Sequence, residues 1–197
     1  MFRRRKMKKT DYVQRLSLLR SSLPRLVVRR SLNNVHAQII SFDENGDKVL
    51  VETFSKELRK YGWHGHCGSV SAAYLTGLII GARAKKLGVG DAILDIGLHV
   101  SIKGSSLYAA ALGARDAGLN IPIGKEILPS KERITGKHVA DYAVMLKKEN
   151  PAAYKKQFSA CLKNNLEPEK ITEHFDEVKS KIMNELGIMT KKKEVVA

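Results

Sequence analysis

The stretch SVSAAYLTGLIIGARAKKLG, from Ser69 to Gly88, constrains the fold more than any other. It has the length of a helix, with Ser69 or Ser71 to cap its first N–H groups and Gly88 to end it. Ala73, Gly77 and Gly81 recur every four residues, so they share one helical face. A face without side-chain bulk is flat, and a flat face calls for close packing on a sheet or a second helix. In a bilayer the same spacing would serve dimerisation, but this apolar run ends at Arg83 and is too short to cross one.

The flanking segments say what that helix packs on. Upstream, RLVVRRSLNNVHAQIISF from Arg25 reads as two strands, DENGDK as a polar turn and VLVETFS as a third strand. Downstream, DAILDIGL from Asp91 reads as a buried strand. SSLYAAALGARDAGL reads as a second helix capped near Ser105 or Ser106 and ended by Gly118, and NIPI as a short last strand. An antiparallel start joined to crossover units predicts an α/β layered domain with a mixed β-sheet packed by helices, over residues 25–127.

Two extensions flank this core. Residues 1–24 form a basic N-terminal arm, in which Tyr12, Leu16 and Leu19 have helical spacing and Pro24 closes the helix. Residues 128–186 form an α-helical extension with helices near 136–148, 151–164 and 168–186. In the last of these, Ile171, Phe175, Val178, Ile182 and Leu186 make one apolar stripe, which needs the α/β core or a neighbouring protein to cover it. Residues 187–197 read as a flexible tail.

The hairpin assigns roles to its two faces. With Asn33-Asn34 as a two-residue turn, Arg30 opposes Ala37, Arg29 opposes Gln38 and Val28 opposes Ile39. One face then gathers Leu26, Val28, Leu32, Val35, Ala37 and Ile39, and builds a core. The other gathers Arg29, Ser31, His36 and Gln38, groups suited to phosphate and sugar oxygens.

Charge points to the same partner. The net charge is +15, and residues 1–30 carry +10 of it, with eleven Lys or Arg against Asp11 alone. Residues 31–130 carry only +1 and residues 131–197 only +4. A surplus concentrated in thirty residues implies a polyanion, and nucleic acid above a membrane surface. The candidate RNA-binding residues are Arg3, Arg4, Arg5, Lys6, Lys8, Lys9, Tyr12, Arg15 and Arg20 in the arm. In the hairpin they are Arg25, Arg29, Arg30, Ser31, Asn33, Asn34, His36 and Gln38.

Catalytic signals are weak. Two cysteines, Cys67 and Cys161, make no disulfide framework and fit a reducing, cytoplasmic setting. MFRRRKMKK lacks the apolar stretch of a secretory signal. WHGHC offers His64, His66 and Cys67, all zinc-ligand types, but adjacent His66 and Cys67 reach one metal only through a kinked backbone, and no second ligand pair lies elsewhere. Gly104-Ser105-Ser106 precedes a helix without any nucleotide-loop pattern, and reads as a cap. Asp95, in a buried strand, is either a satisfied structural carboxylate or a group at an RNA contact. The residues support no catalytic site, no metal, no cofactor and no small-molecule substrate. The alternative is an RNA-processing or RNA-modifying metalloenzyme using the His64/His66/Cys67 loop.

The motifs TDYVQRL, PRLVVRRSLNNVHAQII, YGW, SAAYLTGL, AILDIGL and DAGLNIP, in this order and spacing, resemble those of large-ribosomal-subunit protein eighteen in its archaeal branch. The resemblance runs from about Arg3 to about Leu186, and the stretch HGHCGSV after Trp63 departs from it. It implies an α/β core, an arm embedded in RNA and a place on the ribosome in the central protuberance. The partners it implies are 5S ribosomal RNA, large-subunit ribosomal RNA and neighbouring large-subunit proteins. It also implies RNA contacts at the arm and hairpin positions named above, Lys6, Arg20 and His36 excepted, and no enzymatic reaction.

Overall fold

The computed structural model describes residues 2–187, so the expected tail, Gly187 apart, lies outside the described residues. Strands β1 (Arg25–Arg30), β2 (Val35–Ser41), β3 (Lys48–Phe54) and β4 (Ile93–Asp95) form one sheet in the order β3-β2-β1-β4. The β1–β2 and β2–β3 pairs are antiparallel, and β4 runs parallel to β1. The sheet is therefore mixed, as a hairpin followed by a crossover requires.

The arm holds α1 (Arg3–Lys6) and α2 (Tyr12–Leu19), and the Asp11 carboxylate caps α2 by accepting from the N–H groups of Val13 and Gln14. The glycine-striped segment is α3 (Val70–Lys86), with the Ser69 hydroxyl accepting from the Ala72 N–H and Gly88 at φ +76°. Its partner is α4 (Ser106–Asp116). The two helices touch backbone to backbone. A Cβ on Gly77 would lie 2.0 Å from the Ala110 carbonyl oxygen, and one on Gly81 2.6 Å from that of Ala114. The contact is mutual, because a Cβ on Gly113 of α4 would lie 2.1 Å from the Tyr74 carbonyl oxygen.

This helix pair covers one face of the sheet. Leu26, Val28, Val35, Ala37 and Ile39 join Leu75, Leu78, Ile79 and Ala110 in a single buried cluster. The C-terminal helices are α5 (Lys131–Thr135), α6 (Lys137–Glu149), α7 (Pro151–Gln157), α8 (Ser159–Lys163) and α9 (Ile171–Leu186). Phe175, Val178 and Ile182 of α9 enter the same cluster, with the Phe175 ring 5.9 Å from that of Tyr74. The apolar stripe therefore closes onto the α/β core.

Several local expectations are corrected. The strand expected from Asp91 is confined to Ile93–Asp95, because the Asp95 carboxylate accepts from the Gly97 N–H at 2.8 Å and Gly97 turns at φ +59°. The NIPI segment makes only a single parallel bridge, Asn120 to Asp91, since Pro122 has no N–H to extend a ladder. The helix expected over 151–164 breaks at Phe158, whose ring packs with Ala143 and Tyr154 in a small second cluster.

The hairpin turn is also different. The ladder closes at Arg30 opposite Val35, and the Ser31 N–H donates to the Asn34 carbonyl at 2.8 Å. The central pair is thus Leu32-Asn33. Neither asparagine adopts positive φ, because the Ser31 hydroxyl oxygen accepts from the Asn34 N–H at 3.1 Å and fastens the turn itself. Val28 opposes Ala37 rather than Ile39, a shift of two residues. Since strand faces alternate with a period of two, both faces keep their expected members along the strands. Leu32 is the exception: it leaves the core face and stands 88% exposed at the tip.

Candidate nucleic-acid interface

The face of the sheet opposite α3 and α4 carries Arg25, Val27 and Arg29 from β1 and His36, Gln38 and Ile40 from β2. Strand alternation puts them there, and the arm lies over part of them. Between arm and sheet runs a cleft of about 630 Å³, lined by Arg4, Lys9 and Gln14 from the arm and by Arg29, Gln38 and His99 from the core.

Beneath the cleft, cations and carboxylates alternate. Arg15 of α2 meets Asp47 at 2.9 Å, and Asp47 meets Arg25 at 2.6 Å. Arg25 meets Asp95 at 2.8 Å, and Asp95 meets Arg29 at 3.0 Å. Arg25 is only 4% exposed, and a buried guanidinium is tolerable because both ends of its fork are paired. Arg29 also donates to the carbonyls of Val28 and Asp95, with 42% of its side chain left exposed. Asp95 is a satisfied structural carboxylate. The Gln38 amide donates to Glu52 at 3.2 Å, and the His36 Nε2 lies 3.7 Å from the same carboxylate.

From sequence alone this face is a display of donors. The structure adds Asp47, Asp95 and Glu52 to it, all from outside the hairpin strands. Arg25, read as an RNA ligand, is a buried member of the ion-pair chain, and Arg15 is tied to Asp47. Sequence offered one hint, an acid in a buried strand at Asp95, and none for Asp47 in the turn DENGDK.

The remaining candidates are reachable. Arg3, Arg5, Lys6, Lys8, Lys9 and Arg20 are exposed along the arm, and Arg4 is exposed while donating to the Thr10 hydroxyl at 2.8 Å. Tyr12 is half-buried, its ring stacked 4.8 Å from that of Phe2. Arg30, Ser31 and Asn33 are exposed at the hairpin tip, with Asn34 half-buried beside them.

The histidine loop has another use. Trp63 is 2% exposed within the core, and its ring stacks 5.2 Å from that of His174 on α9. The backbone N–H of His64 donates to the His174 Nε2 at 3.1 Å, and the two imidazoles stack 5.5 Å apart. Burial, then the neighbouring His64, pushes the His174 pKa below its ordinary value. His66 accepts from the Gly68 N–H through Nδ1, and Cys67 is buried. Among the described residues no three His, Cys, Asp or Glu side chains are grouped to hold a metal ion. The loop fastens α9 to the core.

A mixed α/β domain with a cationic arm laid across its free sheet face has the build of a binding protein. The family model for ribosomal large subunit proteins 60S L5 and 50S L18 matches residues 1–91, which hold the arm, the hairpin and α3. Large ribosomal subunit protein uL18 of Methanococcus maripaludis is 55% identical over 183 residues, covering 93% of this chain and 94% of that one. The chain belongs to the uL18 family of large-ribosomal-subunit proteins. Its role is accordingly structural, within the ribosome.

Proposed function

We propose that the chain binds 5S ribosomal RNA and helps attach it to large-subunit ribosomal RNA in the central protuberance. One observation carries the reading. Arg3, Arg5, Lys6, Lys8, Lys9 and Arg20 of the arm, and Arg30 at the tip, are exposed, and every ion pair among the described residues lies elsewhere. Seven unmatched cations in one region repel each other until phosphates neutralise them. Arg4, Ser31, Asn33 and Asn34 extend the contact, and Tyr12, Arg29, His36 and Gln38 line its inner edge. Arg15 and Arg25 act within the protein instead. Ribosomal RNA is met chiefly by shape, phosphate and 2′-OH contacts, which this mixture of forks, amides and hydroxyls can make. Neighbouring large-subunit proteins are further partners in this reading.

The test is a titration of full-length protein with a 5S ribosomal RNA transcript across salt concentrations. Replacing Arg3, Arg5, Lys8 and Lys9 by Ala should weaken binding. Each lost phosphate contact should flatten the log–log salt slope by roughly 0.7–0.9. An unchanged slope would remove the arm from the interface.

A further inference from the structure

We infer that Asp47 is a positioning residue for RNA binding: an acid within the basic face whose removal weakens the grip on a polyanion. The inference rests on the reading of the arm as the RNA contact.

Asp47 ends the turn DENGDK between β2 and β3, and its two carboxylate oxygens hold different elements. Oδ1 takes Arg15 of α2 at 2.9 Å, and Oδ2 takes Arg25 of β1 at 2.6 Å. Arg25 is itself held from the far side by Asp95. Asp47 is therefore braced on a buried guanidinium and offers its second oxygen to the arm. The Arg15–Asp47 pair is the one ion pair between arm and core among the described residues. The rest of α2 is held loosely: Tyr12, Gln14, Leu18 and Leu19 are only half-buried, none of its residues is fully buried, and Val13 and Leu16 point outward at 76% and 59% exposure.

Two opposite effects follow from the same carboxylate. As a charge, Asp47 repels phosphates, so its removal alone should tighten RNA binding. As a brace, it fixes the direction in which residues 3–9 leave the sheet, so its removal spreads the arm over many orientations. Apparent affinity then falls by the fraction of chains still correctly posed. The second effect prevails here. Arg15 and Asp47 are both mostly shielded from solvent, at 28% and 22% side-chain exposure, whereas the arm cations they position are exposed and several in number.

The sign of the effect is the test. Full-length Asp47→Asn and Arg15→Gln should each bind a 5S ribosomal RNA transcript about fivefold more weakly, as expected when the competent fraction drops to about a fifth. The double variant should lose no more than either single one. The salt slope should stay at the wild-type value in all three, because no phosphate contact is lost. Trypsin should nick the arm faster in each variant. Arg15→Gln leaves the Arg25 pairs intact, so its melting temperature separates positioning from unfolding. Tighter or unchanged binding by Asp47→Asn, while the arm-alanine variant still loses affinity and slope, overturns the inference and leaves the RNA reading standing. A lower slope in Arg15→Gln also overturns it, by making Arg15 a phosphate ligand. An arm-alanine variant that binds like wild type removes both.

Discussion

At the scale of single residues, the pairing of Arg25 matters most. Its guanidinium is buried between Asp47 and Asp95, and its stability depends on both. Asp95→Asn keeps the shape of the side chain but removes the charge that faces Arg25 and Arg29. Breaking a buried pair from one side costs about 3–5 kcal/mol, because the remaining charge stays out of water. A denaturant titration should show that loss, with the slope of the transition unchanged. A loss below about 1 kcal/mol would mean that Asp47 alone suffices for Arg25. This chain of pairs was not legible in the sequence. Alternation along β1 puts Arg25 and Arg29 on one face, but their carboxylates come from the β2–β3 turn and from β4, and no local period announces such partners. The same alternation did place Val28 and Ile39 inward, since facing depends on parity and survives a register shift of two.

Among the elements, the α3–α4 contact is the most demanding. Gly77→Ala places a methyl group where the Ala110 carbonyl oxygen already lies 2.0 Å away, so one helix must move. Overpacking of a rigid backbone costs about 1–3 kcal/mol, and this site belongs at the upper end. Gly88→Ala is the control: at φ +76° it meets nothing within 4 Å, so only backbone strain of about 1 kcal/mol opposes it. Thermal melts should rank Gly77→Ala well below Gly88→Ala, and equal losses would mean that the helices separate freely. Small residues every four positions foretold a close contact for α3. They did not say whether a sheet or a helix would fill it, because flatness constrains distance and not the identity of the partner. Helix ends were legible where Ser69 and Gly88 mark them. The break at Phe158 was not, since it follows from a tertiary pocket made by Ala143 and Tyr154.

For the molecule as a whole, α9 joins the C-terminal region to the core, and His174 sits at that joint. Its imidazole stacks between Trp63 and His64 and accepts a backbone hydrogen bond through Nε2, which requires the neutral ring. The folded pKa lies below the unfolded value of 6.5, so the unfolded chain binds the proton more readily. Stability is therefore complete above about pH 6.5 and falls as the pH drops through the folded pKa. Melting temperatures at pH 7.5 and pH 5 should differ more for wild type than for His174→Gln. Equal differences would place the acid sensitivity elsewhere. The charge map of the sequence anticipated the division between a cationic arm and a nearly neutral core. It was silent on α9, whose apolar stripe fits a neighbouring protein as well as the chain's own core.

The docking of α9 also sets an order of events during synthesis. Leu26 of β1 and Ile182 of α9 belong to one buried cluster, yet 156 residues separate them along the chain. At roughly 5–20 residues per second, ribosomes take roughly 8–30 s to cover that distance. From the synthesis of α3 until α9 follows, the Tyr74 side of α3 lacks its cover, while the cationic arm has already been made. A nascent chain of this kind can meet RNA before its own core is shut, and the arrival of α9 decides when it stops being a target for chaperones.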